Sequence, residues 1–304
     1  MTSINIESLL TIIYVMVDDW YQEKGQLLLR GKVGRKPEFS DSEVITLMVA
    51  EDYIPYPGEA QYLGYIRANH LALFPRLIDQ SQFNRRARQL RYLVEAMRQD
   101  WLIDLGVDKT DTFLMDTKPI PVVGYKRSKR RSDFRGSADY GYCVSRKLYY
   151  FGYKLVMITT LEGLPVVYDL VPSNTDERQA IEAVIDRISN ATLIGDKGFI
   201  GVEWQDQIQQ QTGNTVNTPK RKNQKIQHPD GFETLLNTVR ERIEGVFHEL
   251  QNTGRNLERL LAKSVTGLVT RVIAKVTAHL LKYVLRLRFG IDVQTFQVSS
   301  DLAF

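Results

Sequence analysis

The amino-acid sequence predicts a mixed α/β fold, in which helices cover a sheet, preceded by an N-terminal helical region. Two observations support this prediction. Residues 1 to about 105 carry helical signals, whereas β-rich runs alternate with helical stretches from Asp111 onward. The chain from 232 to 289 is again mainly helical in pattern. We therefore expect a helical domain over residues 1–105 and an α/β domain with C-terminal helices over residues 106–304.

Two segments carry the clearest helical signals in the N-terminal region. Ser40 and Glu43 fit a capping box that precedes an apolar run, and Ser81 begins a basic amphipathic helix. The arginines of that helix are Arg85, Arg86, Arg88 and Arg91. A helical module lined with arginines suggests DNA-end recognition through a helix-turn-helix-like arrangement. The alternative is a helical cap whose arginines face water.

The middle of the chain carries the signals of strands. The β-rich runs 147–160 and 165–171 flank a turn that contains glycine, which predicts a hairpin. A helix is expected over 174–188, with short strands over 191–196 and 215–218. This order of elements is typical of a sheet covered by helices.

Three acidic residues lie where a metal-dependent nuclease would need them. Asp116 and Asp196 end short β-prone apolar runs, and Glu244 lies in a strongly helical stretch. Divalent cations held by carboxylates activate water and relieve charge during phosphodiester cleavage. Mg²⁺ prefers such hard oxygen ligands. We expect the three acids to converge on folding as catalytic residues and metal ligands, with Mg²⁺ as the cofactor and Mn²⁺ as an alternative.

Each of these acids also has a structural alternative. An aspartate at the carboxyl end of a strand often caps the turn or helix that follows. Glu244 stands four residues after Arg240 on the expected helix, a spacing that permits a surface ion pair worth a few tenths of a kcal/mol. Glu244 nevertheless adjoins the apolar stripe of that helix, which is an unfavourable place for a free charge unless a cation is near.

The stretch from Lys118 to Lys154 is strongly basic. It contains ten basic and two acidic residues, interleaved with tyrosines and phenylalanines. Such a pattern suits unpaired bases stacked beside neutralised phosphates, although a solvated lysine-rich loop is the alternative. The candidate DNA-binding residues in this stretch are Lys118, Lys126, Arg127, Lys129, Arg130, Arg131, Arg135, Arg146 and Lys147. Lys197 is a further candidate, with an exposed turn lysine as the alternative.

Composition excludes several other classes of protein. The chain has 304 residues, one cysteine and four histidines, which argues against disulfides and zinc sites. No Walker phosphate-binding motif is present. The sequence shows no secretory signal and no apolar window long enough to span a membrane, so we expect a cytoplasmic protein, nucleoid-associated when DNA-bound, without a membrane partner.

At these acidic residues the chain resembles the DDE transposases of bacterial insertion sequences, most closely those of the insertion-sequence 982 family. The likeness covers roughly residues 111–288. It rests on LMDTKPIPV around Asp116, YYFGYKL at 149–155, LIGDKGF at 193–199 and RERIEGVF at 240–247. The resemblance implies a ribonuclease-H-like core, magnesium dependence, and the roles of the DDE triad for Asp116, Asp196 and Glu244.

A second signature of these transposases, Tyr-x2-Arg-x3-Glu-x6-Lys, is matched in part. Arg240 and Glu244 keep the spacing, which makes Arg240 a further DNA-binding candidate. Asn237 stands at the tyrosine position and Gln251 at the lysine position. The role of that lysine must then fall to another basic residue, such as Arg255, or be missing.

The resemblance implies a DNA transposase. It would cleave double-stranded DNA at the terminal inverted repeats of a transposon, and the freed 3′-hydroxyl would then attack target DNA. Pairing two ends makes a homodimer or larger complex on DNA the natural expectation. Two alternatives differ in class: a catalytically inactive, domesticated DNA-binding regulator, and a structure-selective nuclease that cuts without joining.

Overall fold

A computed structural model describes residues 4–29, 37–54, 56, 58–123, 132–143, 147–221, 227–254 and 256–293. Its α-helices are α1 Ile6–Trp20, α2 Gln26–Leu28, α3 Asp41–Ala50, α4 Glu59–Asn69, α5 Gln80–Asp104, α6 Glu177–Ile185, α7 Val202–Thr212, α8 Asp230–Asn252 and α9 Val265–Phe289. Its strands are β1 Thr112–Val123, β2 Asp139–Cys143, β3 Leu148–Thr160, β4 Pro165–Pro172, β5 Thr192–Ile194 and β6 Thr215–Asn217. Within these ranges no helix is long and apolar enough to cross a membrane.

The six strands form one mixed sheet. Its order is β2-β3-β1-β5-β6, and β4 also pairs with β3. Strand β3 is antiparallel to β1, β2 and β4, whereas β5 is parallel to both β1 and β6. The predicted hairpin is confirmed as β3 and β4. A mixed sheet with helices, following an N-terminal helical region, is the fold class that the sequence predicted.

Strand β1 is longer than the sequence suggested. Asp116 was expected to end a short strand, but β1 continues to Val123 and pairs with β3 over nearly its whole length. The registered pairs with β5 stop at Leu114, so beyond that residue β1 has a strand partner on one side. An edge without a partner strand tolerates proline, which cannot donate a backbone hydrogen bond, and this explains why Pro119 and Pro121 do not end the strand.

Side-chain caps define where the helices begin. Ser40 and Glu43 form the predicted capping box at the start of α3. The basic helix α5 begins at Gln80, because the side chain of Asp79 caps its first turn, and not at Ser81 as the sequence suggested. Helix α6 begins later than expected, because Asp176 is its N-cap and not a residue of its first turn. Each correction reflects an aspartate that accepts a hydrogen bond from the backbone at the N-terminus of a helix.

The chain divides into two compact units. One consists of residues 1–105, 250–262 and 266–304, and the other of residues 106–249 and 263–265. The second unit contains the whole sheet together with α6, α7 and most of α8. Most of α9 therefore groups with the N-terminal helices, although it follows the sheet in sequence.

A buried ion pair links α9 to the N-terminal helices within the first unit. The ammonium group of Lys275 lies 2.7 Å from Asp52 Oδ1 and donates to the carbonyl oxygen of Thr253 at 2.8 Å. Lys275 and Asp52 are 3% and 6% exposed. Two buried charges are tolerated only when each compensates the other, so this pair fixes how α9 packs in its unit.

We predict that Lys275→Met destabilises the protein by about 3–5 kcal/mol, because it leaves the carboxylate of Asp52 buried without its cation. Urea unfolding measures this change. Removing both charges in Asp52→Asn/Lys275→Met should cost less than the single substitution. A double variant as unstable as Lys275→Met would show that packing of the lysine stem, and not its charge, is what matters.

Candidate active site

The sheet brings Asp116 and Asp196 together. Strands β1 and β5 run parallel, with Leu114 opposite Ile194. Two residues further along each strand direction are Asp116 and Asp196, and the backbone of Asp196 is still extended. Because side chains alternate along extended backbone, both carboxylates project from the same face of the sheet. Residues 80 positions apart in sequence therefore become neighbours.

A glycine permits this close approach. A Cβ atom on Gly195 would lie 2.7 Å from the side chain of Met115 and 2.6 Å from that of Phe199, closer than real Cβ contacts allow. A larger residue at position 195 would have to displace the side chains of Met115 and Phe199. The absence of a side chain at Gly195 therefore lets these two residues pack against the turn before Asp196.

Each aspartate also accepts a local hydrogen bond. Asp196 Oδ1 accepts from the backbone N–H of Gly198 at 2.7 Å and so caps the 3-10 turn Lys197–Phe199. Asp116 Oδ1 accepts from the backbone N–H of Thr117 at 2.7 Å. The capping role considered for Asp196 is thus present. Each bond engages one carboxylate oxygen, so the caps do not prevent the second oxygens from binding a ligand.

Burial dominates the electrostatics of Asp116. The pKa of Asp116 is raised from 3.8 to about 7; desolvation by burial is the largest cause, the N–H of Thr117 lowers the pKa, and repulsion by Asp196 raises it. Attraction by Arg240 lowers the pKa of Asp116, and repulsion by Glu177 raises it. A carboxyl group held in this way is poised to lose its proton when a cation arrives.

The structure places Glu244 on α8, as predicted, but not among the charges that act on Asp116. Its side chain is 60% exposed, and Oε1 lies 3.5 Å from the guanidinium of Arg240. The ion pair considered from the sequence is therefore present. Ile243 and Phe247 form the buried face of the helix instead. Arg240, whose side chain is 22% exposed, is the α8 residue whose charge reaches Asp116.

Glu177 is a third acid near the two aspartates that sequence reasoning missed. It is the first residue of α6. A Cβ atom on Gly198 would lie 1.7 Å from Oε2 of Glu177 and 2.9 Å from Asp196 Oδ1, so both carboxylates border the same small space. Burial raises the pKa of Glu177, repulsion by Asp196 raises it further, and attraction by Lys154 lowers it. Its place in the sequence, five residues after β4 and at the start of a helix, does not by itself predict that it lies near the aspartates.

The donor chemistry of this site suits a hard divalent cation. Asp116 and Asp196 supply carboxylate oxygens, and Mg²⁺ is usually held by one or two carboxylates together with water and substrate phosphate. Across the described part of the chain, however, no group of three or more His, Cys, Asp or Glu residues is placed to hold a metal ion. The two aspartates fit a site completed by other ligands, not a closed protein cage.

Several DNA-binding candidates lie around the sheet. Lys118 is two residues after Asp116 on β1 and so shares its face, and Lys197 is exposed beside Asp196. Arg135 and Lys147 are exposed. The remaining candidates of the basic stretch lie outside the described residues: Lys126, Arg127, Lys129, Arg130, Arg131 and Arg146. Arg255 also lies outside them.

The arginines of α5 differ from one another. Arg85 is exposed. Arg86 forms an ion pair with Asp41 at 2.7 Å and is partly buried. The guanidinium of Arg88 donates to the carbonyl oxygen of Asn84 at 3.3 Å. At least Arg86 therefore contributes to the packing of the helical unit, and Arg85 is the better placed to meet a phosphate.

One comparison with known proteins gave a match. The family described as "Transposase DDE domain" matches residues 108–281, more than half of the chain. This range contains Asp116, Asp196 and Glu244 and every strand of the sheet. Searches of curated proteins and of solved structures each gave no significant match.

We predict that Asp116→Asn stabilises the metal-free protein above pH 7. The folded-state pKa of Asp116 is raised to about 7 from 3.8, so the unsubstituted protein loses stability as pH rises through that window, where the unfolded state has already released the proton. Asparagine removes this loss. Thermal unfolding against pH measures the difference, which should vanish below the ordinary pKa.

Asp206→Asn is the matched control, because Asp206 is an exposed aspartate on α7 of the same unit. It should leave the pH profile unchanged. Equal profiles for Asp116→Asn and the unsubstituted protein would contradict a desolvated Asp116.

Proposed function

Because the chain belongs to the transposase DDE domain family, whose members cleave and transfer DNA strands in transposition and typically use a divalent metal, we propose that it is a metal-dependent transposase of a bacterial insertion sequence. The observation that carries this proposal is the pairing of Asp116 with Asp196 across the parallel strands β1 and β5. The segments quoted above for the insertion-sequence 982 family support that family as the finer placement.

We assign Asp116 and Asp196 to hold the divalent cation, Mg²⁺ or Mn²⁺. Bound there, it would supply an activated water and relieve charge on the phosphate. Burial of Asp116 makes its carboxylate unfavourable without a cation, and this favours metal binding. Arg240 balances part of the negative charge beside Asp116, so that two acids can share the site.

Glu244 is proposed as the third acid of the triad. Support comes from its spacing to Arg240 and from the family segment around it. In the structure its carboxylate contacts Arg240, so joining the two aspartates requires it to exchange that partner for a cation. Side chains exchange partners by rotation within nanoseconds when they are exposed, as Glu244 is. Binding of DNA and metal would supply the free energy for the exchange.

The substrate in this proposal is double-stranded DNA, at the terminal inverted repeats and then at the target. Hydrolysis frees a 3′-hydroxyl, which attacks a phosphodiester of the target in a second in-line displacement at the same site. Holding two ends at once favours a homodimer or a larger complex. An exposed N-terminal arginine such as Arg85 supports end recognition by the helical unit.

We predict that Asp116→Asn, Asp196→Asn and Glu244→Gln each lower nicking by at least about 100-fold, the effect of removing one stabilising group from an active site. The substrate is a duplex carrying the DNA that flanks the gene, with Mg²⁺ present. Glu241→Gln, an exposed glutamate on the same helix, is the control and should nick normally. Full activity of Glu244→Gln would remove Glu244 from the triad while leaving the aspartate pair.

The products of the same reaction separate the transposase from its two alternatives. A transposase joins the freed 3′ end to a second duplex, whereas a structure-selective nuclease stops after cutting. A DNA-binding regulator binds the duplex but neither cuts nor joins. Joined product resolved on a denaturing gel is therefore the result that the proposal requires.

We predict that Lys118→Gln weakens duplex binding and reduces the slope of log K against log salt concentration by about 0.9, the contribution of one phosphate contact. Its position on the face of Asp116 is the reason. Fluorescence anisotropy over a range of NaCl concentrations measures the slope. Lys109→Gln changes an exposed lysine of the 3-10 turn before β1 and should leave the slope unaltered.

A further inference from the structure

A ladder of aromatic rings follows one face of the antiparallel strand pair β2 and β3, called the β2–β3 hairpin below to distinguish it from the hairpin of β3 and β4. Tyr142 lies across from Tyr149 with ring centroids 4.7 Å apart, and Tyr140 lies across from Phe151 at 5.1 Å. The next ring along β3, Tyr153, is 6.1 Å from Phe134. Cross-strand aromatic pairs of this kind stabilise a hairpin. Stability of the hairpin accounts for the buried part of the ladder.

The outermost pair is not buried. Phe151 and Tyr153 are 1% and 4% exposed, whereas Tyr142 and Tyr149 are 47% and 61% exposed. Leu148, which follows the turn, is 53% exposed as well. Hairpin stability does not require two large rings to face solvent, and contiguous exposed apolar groups commonly mark a binding surface.

The charge around this pair indicates a polyanion. Lys147, the residue directly before β3, is exposed. No aspartate or glutamate occurs in the sequence between Tyr140 and Tyr150. A positively charged segment with exposed tyrosines is the combination that holds unpaired nucleic acid, since bases stack on the rings and cations neutralise the phosphates.

The pair also lies on the face that carries the candidate active site. Met157 of β3 is opposite Asp116, and Tyr149 is eight residues earlier on the same strand. An even separation on a strand returns the side chain to the same face. Eight residues correspond to roughly 27 Å of strand. Phe151, Tyr153 and Met157 of this face are buried, so the tyrosine pair is an exposed contact at the far end of the strand and not part of an open groove that begins at the aspartates.

We propose that Tyr142 and Tyr149 form a tyrosine platform that stacks unpaired bases of the DNA substrate. The inference rests on the proposed function, since it takes the platform to hold part of the same DNA substrate. Base faces are available for stacking only where the duplex is opened, because paired bases cover one another. The platform therefore recognises opened DNA and is indifferent to intact duplex and to base sequence.

The test is binding of a duplex with a single-stranded overhang that contains 2-aminopurine, whose fluorescence falls when it stacks. The full-length protein should quench it. Tyr142→Ala/Tyr149→Ala should abolish the quenching and weaken binding of the overhang substrate by about 5- to 100-fold. Binding of a blunt duplex and the salt slope should stay the same, because no charge is removed.

Two matched variants separate stacking from folding. Tyr142→Phe/Tyr149→Phe keeps both rings and should keep the quenching, whereas a loss there would overturn the proposal. Tyr92→Ala removes a tyrosine that is 67% exposed on α5 and should leave the quenching of 2-aminopurine unchanged. Unchanged overhang binding by the double alanine variant would also overturn the platform.

The remaining outcomes distinguish the platform from the proposed function. Suppose that the unsubstituted protein nicks the duplex normally and that the double alanine variant binds the overhang as tightly as the unsubstituted protein does. The platform proposal would then be wrong, and the transposase proposal would stand. Absence of any DNA binding by the unsubstituted protein would contradict both. If the double alanine variant instead shifts the protein from dimer to monomer in sedimentation, the rings contact a second copy and the proposal is wrong.

Discussion

The parallel pairing of β1 with β5 is the contact on which the candidate active site depends. Three registered residue pairs fix how far Asp196 lies along β1, and Gly195 leaves room for the side chains of Met115 and Phe199 beside the turn that carries Asp196. A shift of one residue in this register would send one of the side chains to the opposite face of the sheet. The remaining features of the site, including its charge and its partial burial, follow from that placement.

Bringing two carboxylates together under partial burial costs free energy in the absence of a cation. The raised pKa of Asp116 expresses this cost, and Arg240 offsets part of it. Charge that is poorly compensated in the apo protein is typical of sites evolved to bind something positive. Here the cost is concentrated on two acids, with Glu177 bordering them from α6 and Glu244 still paired with its arginine.

Much of this arrangement could be predicted from the sequence. Asp116 and Asp196 were identified from β-prone runs that end in an acid, and the hairpin and the helix of Glu244 were identified from periodicity. The length of β1 was not predicted, because two prolines normally end a strand and only the unpaired edge permits them. The proximity of Glu177 to Asp196 was not predicted either. It arises from packing of α6 against the turn after β5, which no local pattern encodes.

The most direct test of the central claim is Mn²⁺ binding measured by electron paramagnetic resonance, because it reports the cation site without requiring a DNA substrate. We expect binding to the unsubstituted protein that weakens strongly in both Asp116→Asn and Asp196→Asn, and stays unchanged in the exposed control Asp206→Asn. Equal Mn²⁺ affinity in all four proteins would contradict the claim that the paired aspartates form the metal site.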